Sequence, residues 1–288
     1  MNINWYPGHM KKTKESIKKS LSLVDIVYEV VDSRIPISSQ NPDIDNIVGD
    51  KPKIKILNKS DLADEKANAK WVDFFKEKNI PAILVDSINN KGLNQIIDMS
   101  YTLTYEKRKR LEAKGIKNKP IRAMIVGIPN VGKSTLINSL SKRKGAKVGN
   151  KPGVTKANQW IKVKGNIELL DTPGILWPKF QDKDVALNLA FTGAIKDELL
   201  DVENLVIKLV EKLNKISGEY IENRYGVFVK DKSPYDVILE IGRNRGCIVS
   251  GGEVDFSKAC NIILDEFRKG IIGRITLELP EQYEEVLY

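Results

Sequence analysis

The sequence predicts an α/β fold, with a mostly parallel sheet covered by helices and a small all-α domain after it. Three observations carry that prediction. Short apolar runs alternate with helix-spaced segments through the first part of the chain. A glycine-rich phosphate motif, Gly127-Ile-Pro-Asn-Val-Gly-Lys-Ser134, falls between an expected strand and an expected helix. After Pro178 the apolar residues keep helical spacing and no strand alternates with them. Strands alternating with helices imply parallel pairing, with the crossover helices lying on the two faces. The expected division is 1–177 for the α/β domain and 178–288 for the helical one.

Each element has its own warrant. Residues 24–31 (VDIVYEVV), 54–57 (IKIL) and 82–85 (AILV) are short, apolar and β-branched, and read as strands. Residues 124–126 form a fourth, just before the phosphate motif. Residues 159–163 and 167–170 read as a strand pair turning at Lys164-Gly165-Asn166. Residues 64–78, 92–113 and 133–140 have helical spacing, as do 185–195, 202–216, 234–241 and 256–267.

Composition narrows the class. The chain has 288 residues and a net charge of +9, unevenly placed. Residues 1–170 hold 32 Lys+Arg against 17 Asp+Glu, and residues 171–288 hold 15 against 21. A basic first part suits a polyanion such as RNA, DNA or an anionic membrane, and it equally suits a lysine-rich solvated surface. No apolar run approaches the roughly 20 residues of a membrane span. Lys11, Lys12 and Lys14 are followed by no apolar core of a secretory signal. Cys247 and Cys260 fit no zinc spacing, and so few cysteines suit a reducing compartment. A cytoplasmic protein, acting as a monomer, is expected.

The phosphate motif has a direct physical reading. Its glycines let the backbone N–H groups from Asn130 through Val131, Gly132, Lys133, Ser134 and Thr135 curl toward phosphate oxygens at a helix N-terminus. Lys133 would reach the β- and γ-phosphates, and the Ser134 hydroxyl would meet Mg²⁺. Asp171-Thr-Pro-Gly174 follows a strand. Asp171 there can hold the Mg²⁺ shell through water, and Gly174 can offer its N–H to the γ-phosphate and move when that phosphate leaves. Thr155, between the two motifs, is the candidate switch threonine that completes Mg²⁺ coordination.

Asn58-Lys59-Ser60-Asp61 ends the second strand. The Asp61 carboxylate can accept from guanine N1–H and N2–H₂, a donor pair that adenine lacks. Asn58 can bond the other edge of the purine, and the Lys59 stem can pack on the ring. Asp86-Ser87-Ile88 ends the next strand, where a backbone N–H could meet guanine O6. Here the sequence resembles the translation-factor-related P-loop GTPases. The base motif precedes the phosphate motif by about 70 residues, the reverse of the usual order, so the chain resembles the circularly permuted members. The opening Trp5-Tyr-Pro-Gly-His-Met10, the Asp32-Ser-Arg-Ile-Pro36 segment and the helical tail are similar to the bacterial ribosome biogenesis GTPases among them. In place of Asp86-Ser87-Ile88 that family more often reads Ser-Ala.

The resemblance implies GTP and GDP as ligands and hydrolysis as the reaction. Many such enzymes orient the attacking water with a glutamine where this chain has Ile175. His9, the only histidine, is the candidate replacement, and a surface or packing role is the alternative. Asn130 lies where related GTPases bind K⁺, which can neutralise developing charge; support of the loop is the other reading. The basic clusters at 11–19, 107–110 and 142–151 are solvated faces or polyanion contacts. By resemblance the helical domain binds RNA through Arg243, Arg245, Arg268, Lys269 and Arg274.

Two functions remain. One is an assembly factor that binds the precursor of the large ribosomal subunit and its rRNA in the GTP form and leaves after hydrolysis. The other is a GTPase switch acting on a protein or membrane partner without RNA. An ATPase or nucleotide kinase is disfavoured by the base motif.

Overall fold

A computed structural model of the protein describes residues 18–141, 160–171 and 182–283. They form two compact units. The first holds a six-stranded sheet: β1 (Ile26–Asp32), β2 (Lys53–Asn58), β3 (Ala82–Val85), β4 (Ile121–Val126), β5 (Trp160–Val163) and β6 (Ile167–Asp171). Its order is β3-β2-β1-β4-β6-β5, with only β5 antiparallel. The chain steps outward from β1 to β2 and β3. It then returns to place β4 on the other side of β1. That reversal makes the β1–β4 junction a topological switch point, the ordinary place for a ligand crevice.

Every residue of β1 is buried. Residues 28 and 31 point to opposite faces by strand alternation. The Tyr28 hydroxyl shares a hydrogen bond with Ser100 Oγ (2.7 Å) on helix α3 (Leu93–Leu103). Val31 packs instead with Trp71, Phe74 and Phe75 of helix α2 (Glu65–Glu77), so α2 and α3 cover opposite faces. A charge pair lies inside this core. Glu29 Oε2 accepts from Lys55 Nζ (3.0 Å) on the adjacent strand, and Lys55 Nζ also donates to Gln40 Oε1 (2.7 Å).

The long helix expected over 92–113 is two, α3 and α4 (Tyr105–Ala113), broken at Thr104. Ser100, Thr102 and Thr104 each turn a hydroxyl back to the carbonyl four residues earlier. Such back-bonding bends helices. A short helix, α1 (Ile44–Val48), was not expected, and α5 (Lys133–Leu140) is where the sequence places it.

The second unit is helical: α6 (Lys183–Phe191), α7 (Val202–Ser217), α8 (Glu219–Tyr225), α9 (Pro234–Asn244) and α10 (Phe256–Arg268). Four of these begin at a side-chain cap, with Asp182, Asp201, Ser233 and Asp255 accepting from first-turn N–H groups. Leu205, Leu209 and Leu213 line one face of α7, and Ile238, Ile241, Ile263 and Phe267 from the other helices are buried with them. Among the described residues no strand follows β6.

The units differ from the sequence division in two small segments. Residues 62–64 group with the helical unit, and residues 278–283 group with the sheet unit. The reason for the second is local. Glu278 accepts from the N–H groups of Ile37 (2.8 Å) and Ser38 (3.1 Å), and its carbonyl accepts from Trp71 Nε1 (3.0 Å).

Candidate nucleotide site

Five parallel strands end on one edge of the sheet, and the sequence motifs hang from those ends. Asp32 closes β1, Asn58 β2, Val85 β3, Val126 β4 and Asp171 β6. The loop from β4 to α5 is fitted tightly to its surroundings. A Cβ on Gly127 would lie 2.5 Å from the Val30 carbonyl oxygen. Gly132 has φ +96°, and a Cβ there would lie 2.3 Å from Asn58 Nδ2. No side chain caps the first turn of α5, so its N–H groups stay directed outward. Asn130 is exposed at φ +62°, a left-handed position that asparagine tolerates.

Lys133 folds back on the loop. Its Nζ donates to the carbonyls of Gly127 (3.0 Å) and Ile128 (2.8 Å). Burial lowers its pKa from the usual lysine value to about 8, against the opposing pull of the Asp171 carboxylate. Asp171 is half-buried at the end of β6, and the Ser134 and Thr135 side chains are exposed on the first turn of α5.

The depressed lysine gives a pH dependence that can be tested. Below about pH 8 Lys133 is charged in the folded and the unfolded chain alike. Above it the folded form neutralises first, so the nucleotide-free protein gains stability from this group between about pH 8 and the ordinary lysine value. Phosphates held at this loop would restore the charge, so binding would take up a proton there. GDP affinity should weaken by up to about tenfold per pH unit above about pH 8. Titration of GDP across that range checks this, and the Lys133→Met variant should lack the slope.

Asn58 joins the base motif to the phosphate loop. It is buried, its Nδ2 donates to the Val131 carbonyl (2.8 Å), and its Oδ1 accepts from Ser87 Oγ (2.7 Å). Ser139 of α5 donates to the Ser87 carbonyl and ties the third loop to the same hub. Lys59 takes φ +59° and donates to Asp32 Oδ2 (2.9 Å). Asp32 is fully engaged, because Arg34 also grips it through Nε (2.9 Å) and Nη2 (2.8 Å). Burial alone would raise the Asp32 pKa, but the Arg34 and Lys59 charges hold it well below the carboxylate range. The sequence marks Asp32 and Arg34 only as part of a family signature. Their role as anchors of Lys59 becomes visible in three dimensions.

The Asp86 carboxylate is engaged within its own loop. Its Oδ1 accepts from the N–H groups of Ile88 (3.1 Å) and Asn89 (2.9 Å), and its Oδ2 from Asn89 Nδ2 (2.7 Å). Asp86 therefore braces the 86–91 loop, while Ser87 makes the contact to Asn58. Ser60 holds the base motif itself. Its N–H donates to the Val85 carbonyl (3.1 Å) and its own carbonyl accepts from Asn68 Nδ2 (2.9 Å). The half-buried Asp61 follows.

His9, Thr155, Gly174 and Ile175 lie outside the described residues, as does the basic segment 142–151. Most of the helical unit's basic residues named above have partners within the unit. Arg245 pairs with Glu266. Arg268 pairs with Asp197 (2.7 Å) and donates to the Ala190 and Phe191 carbonyls. Lys269 pairs with Asp265, and Arg274 Nε donates to the Ala63 carbonyl (2.9 Å). Arg243, Arg245, Lys269 and Arg274 are nonetheless exposed.

Comparison with known proteins agrees with this geometry. A model of the 50S ribosome-binding GTPase family matches residues 122–239. It begins in β4 and leaves the base motif outside, as a permuted order requires. A ribosome biogenesis GTPase A of Priestia megaterium is 47% identical over the whole of both chains. The protein of that name from Thermotoga maritima is 34% identical, covering 99% of this chain and 97% of that one. A GDP-bound structure of YlqF from T. maritima superposes with a TM-score of 0.66 at 28% identity, covering 92% of this chain and 99% of the other. With its phosphate loop joined through Asn58 to a base motif that comes earlier in sequence, this chain belongs to the ribosome biogenesis GTPase A family of circularly permuted P-loop GTPases, and it hydrolyses GTP.

Proposed function

We propose that the protein in its GTP form binds the precursor of the large ribosomal subunit and leaves after subunit-stimulated hydrolysis. The observation that supports this most is the Asn58 hub. One buried amide links the loop that would sense phosphate to the loop that would read guanine. The matched family model is described as a 50S ribosome-binding GTPase, which points to the same subunit.

Within this reading Asn58, Lys59, Asp61 and Ser87 form the base side, and residues 130–135 with Gly174 the phosphate side. Ser134 and Asp171 would hold Mg²⁺. They are hard oxygen donors, and the charge of Asp171 is felt at Lys133 on the phosphate loop. The ion would offset charge on the β- and γ-phosphates. Thr155 would complete its shell, and K⁺ beside Asn130 would add a second cation. His9 is assigned to water positioning, since Ile175 carries no polar group. The helical unit would supply RNA contacts from its exposed basic residues.

Co-sedimentation with purified ribosomal subunits tests the reading. Binding to the large subunit should be favoured by a non-hydrolysable GTP analogue over GDP and weakened by salt. No subunit binding in either state would overturn it and redirect the search to protein or membrane partners.

A further inference from the structure

Four consecutive N–H groups open the loop after β3, and three of them have acceptors inside it. The Asp86 N–H donates to the Lys91 carbonyl (3.2 Å). Those of Ile88 and Asn89 donate to Asp86 Oδ1. The remaining one belongs to Ser87. Among the described residues it has no acceptor, although Ser87 is only 4% exposed. Buried N–H groups without an acceptor are rare in folded proteins, and at the edge of a ligand crevice such a donor points to a bound acceptor.

The direction of that N–H is closely set. The Asp86 carbonyl, at the other end of the same trans peptide, accepts from the Lys91 N–H (3.0 Å). Ser87 Oγ donates to Asn58 Oδ1 (2.7 Å), and the Ser87 carbonyl accepts from Ser139 Oγ (2.5 Å). Gly92 closes the loop at φ +81°, where a Cβ would stand 2.2 Å from the Leu84 carbonyl oxygen. All of these residues belong to the sheet unit. Ser139 is the unusual member. A helical serine commonly bonds the carbonyl four residues back, as Ser100 does in α3. Ser139 instead reaches out of α5 to another loop. It lies roughly 9 Å along that helix from Lys133, at 1.5 Å per residue. One helix thus offers its first turn to phosphate and its second to the loop after β3.

A fixed N–H donor separates the purines. Guanine presents the O6 acceptor where adenine presents an amino donor. We propose that Ser139 is a positioning residue for guanine selectivity, aiming the Ser87 N–H at guanine O6 through its bond to the Ser87 carbonyl. This rests on the reading of the 86–88 loop as the O6 side of the base site. A shift of α5 under the phosphates would then be felt at the base.

Two base analogues provide the test. 6-Thioguanosine diphosphate replaces O6 by sulfur, a weak acceptor, and keeps N1–H and the 2-amino group. Inosine diphosphate keeps O6 and N1–H and lacks the 2-amino group. Affinities are read on the full-length protein by competition with fluorescently labelled GDP. Ratios taken on one preparation are insensitive to the fraction folded. The native protein should prefer GDP to the thio analogue. In Ser139→Ala that preference should fall by about fivefold, in the range of couplings carried by hydrogen-bond networks. The preference for GDP over inosine diphosphate should stay, because the 2-amino group faces Asp61 rather than Ser87. Ser139→Thr keeps the hydroxyl and should keep both preferences. An unchanged thio preference in Ser139→Ala would overturn the proposal. Equal falls in both preferences would also overturn it, since general loosening would then suffice. A native protein that binds GDP and the thio analogue equally would refute the O6 assignment itself, and that failure is distinct from an intact native preference with a silent Ser139→Ala.

Discussion

Gly132→Ala should cost the protein about a hundredfold in GDP affinity, roughly 3 kcal/mol. Two effects combine. At φ +96° an L side chain is strained by about 1–2 kcal/mol. The new Cβ would also stand 2.3 Å from Asn58 Nδ2. Asn58 must then withdraw from the Val131 carbonyl and from Ser87, leaving buried polar groups unpaired at about 1–3 kcal/mol. The loss falls on the joint between phosphate loop and base motif, so both halves of the nucleotide are affected. Fluorescence titration with labelled GDP gives the affinity. A double variant with Asn58→Ala checks the mechanism. Removing the amide makes room for the Cβ, so the two losses should be clearly less than additive. Additive losses would show that the collision is not the cause.

The second large effect is on stability. Glu29→Leu should destabilise the fold by about 3–5 kcal/mol, because it strands the ammonium of Lys55 inside the sheet unit. Both side chains are about 1% exposed. Burial already lowers the Lys55 pKa, with the Glu29 charge working in the opposite direction. Lys53 also reaches Glu29 (3.2 Å), but it keeps Asp45 as a second partner. The double variant Glu29→Leu/Lys55→Met removes both charges and should recover most of the loss. Urea unfolding of the four proteins in the cycle reads this directly. The single variant takes a large share of a typical total of about 5–15 kcal/mol. A double variant as unstable as the single one would mean that the pair contributes more than mutual neutralisation.

The strands were legible because each is a short apolar run with a turn signal after it, and β3 lies where the sequence places it. The break at Thr104 was not, since apolar spacing continues through it and only the hydroxyl bonds reveal the bend. Helix α8 was missed because Gly218 joins it to α7 without a breaker strong enough to be read. The phosphate loop was legible as a motif, and so was the guanine motif. Their connection was not, because Asn58 and Val131 are separated by 73 residues. The partners of charged groups are the least legible in one dimension. Those of Arg268 and Arg274 lie 71 and 211 residues away. The bracing of the 86–91 loop by the Asp86 carboxylate is likewise visible only in the fold.

The segment that follows Leu277 has a consequence for synthesis. The sheet unit is nearly all made before the helical unit begins, yet the Trp71 indole and the N–H groups of Ile37 and Ser38 find their partner only in Glu278. Between the two lie the residues of the whole helical unit. At about 5–20 residues per second, the nascent sheet unit waits on the order of ten seconds for its last partner. During that interval Trp71 lacks its Glu278 and Tyr283 neighbours. The unit made first is therefore finished after the unit made second.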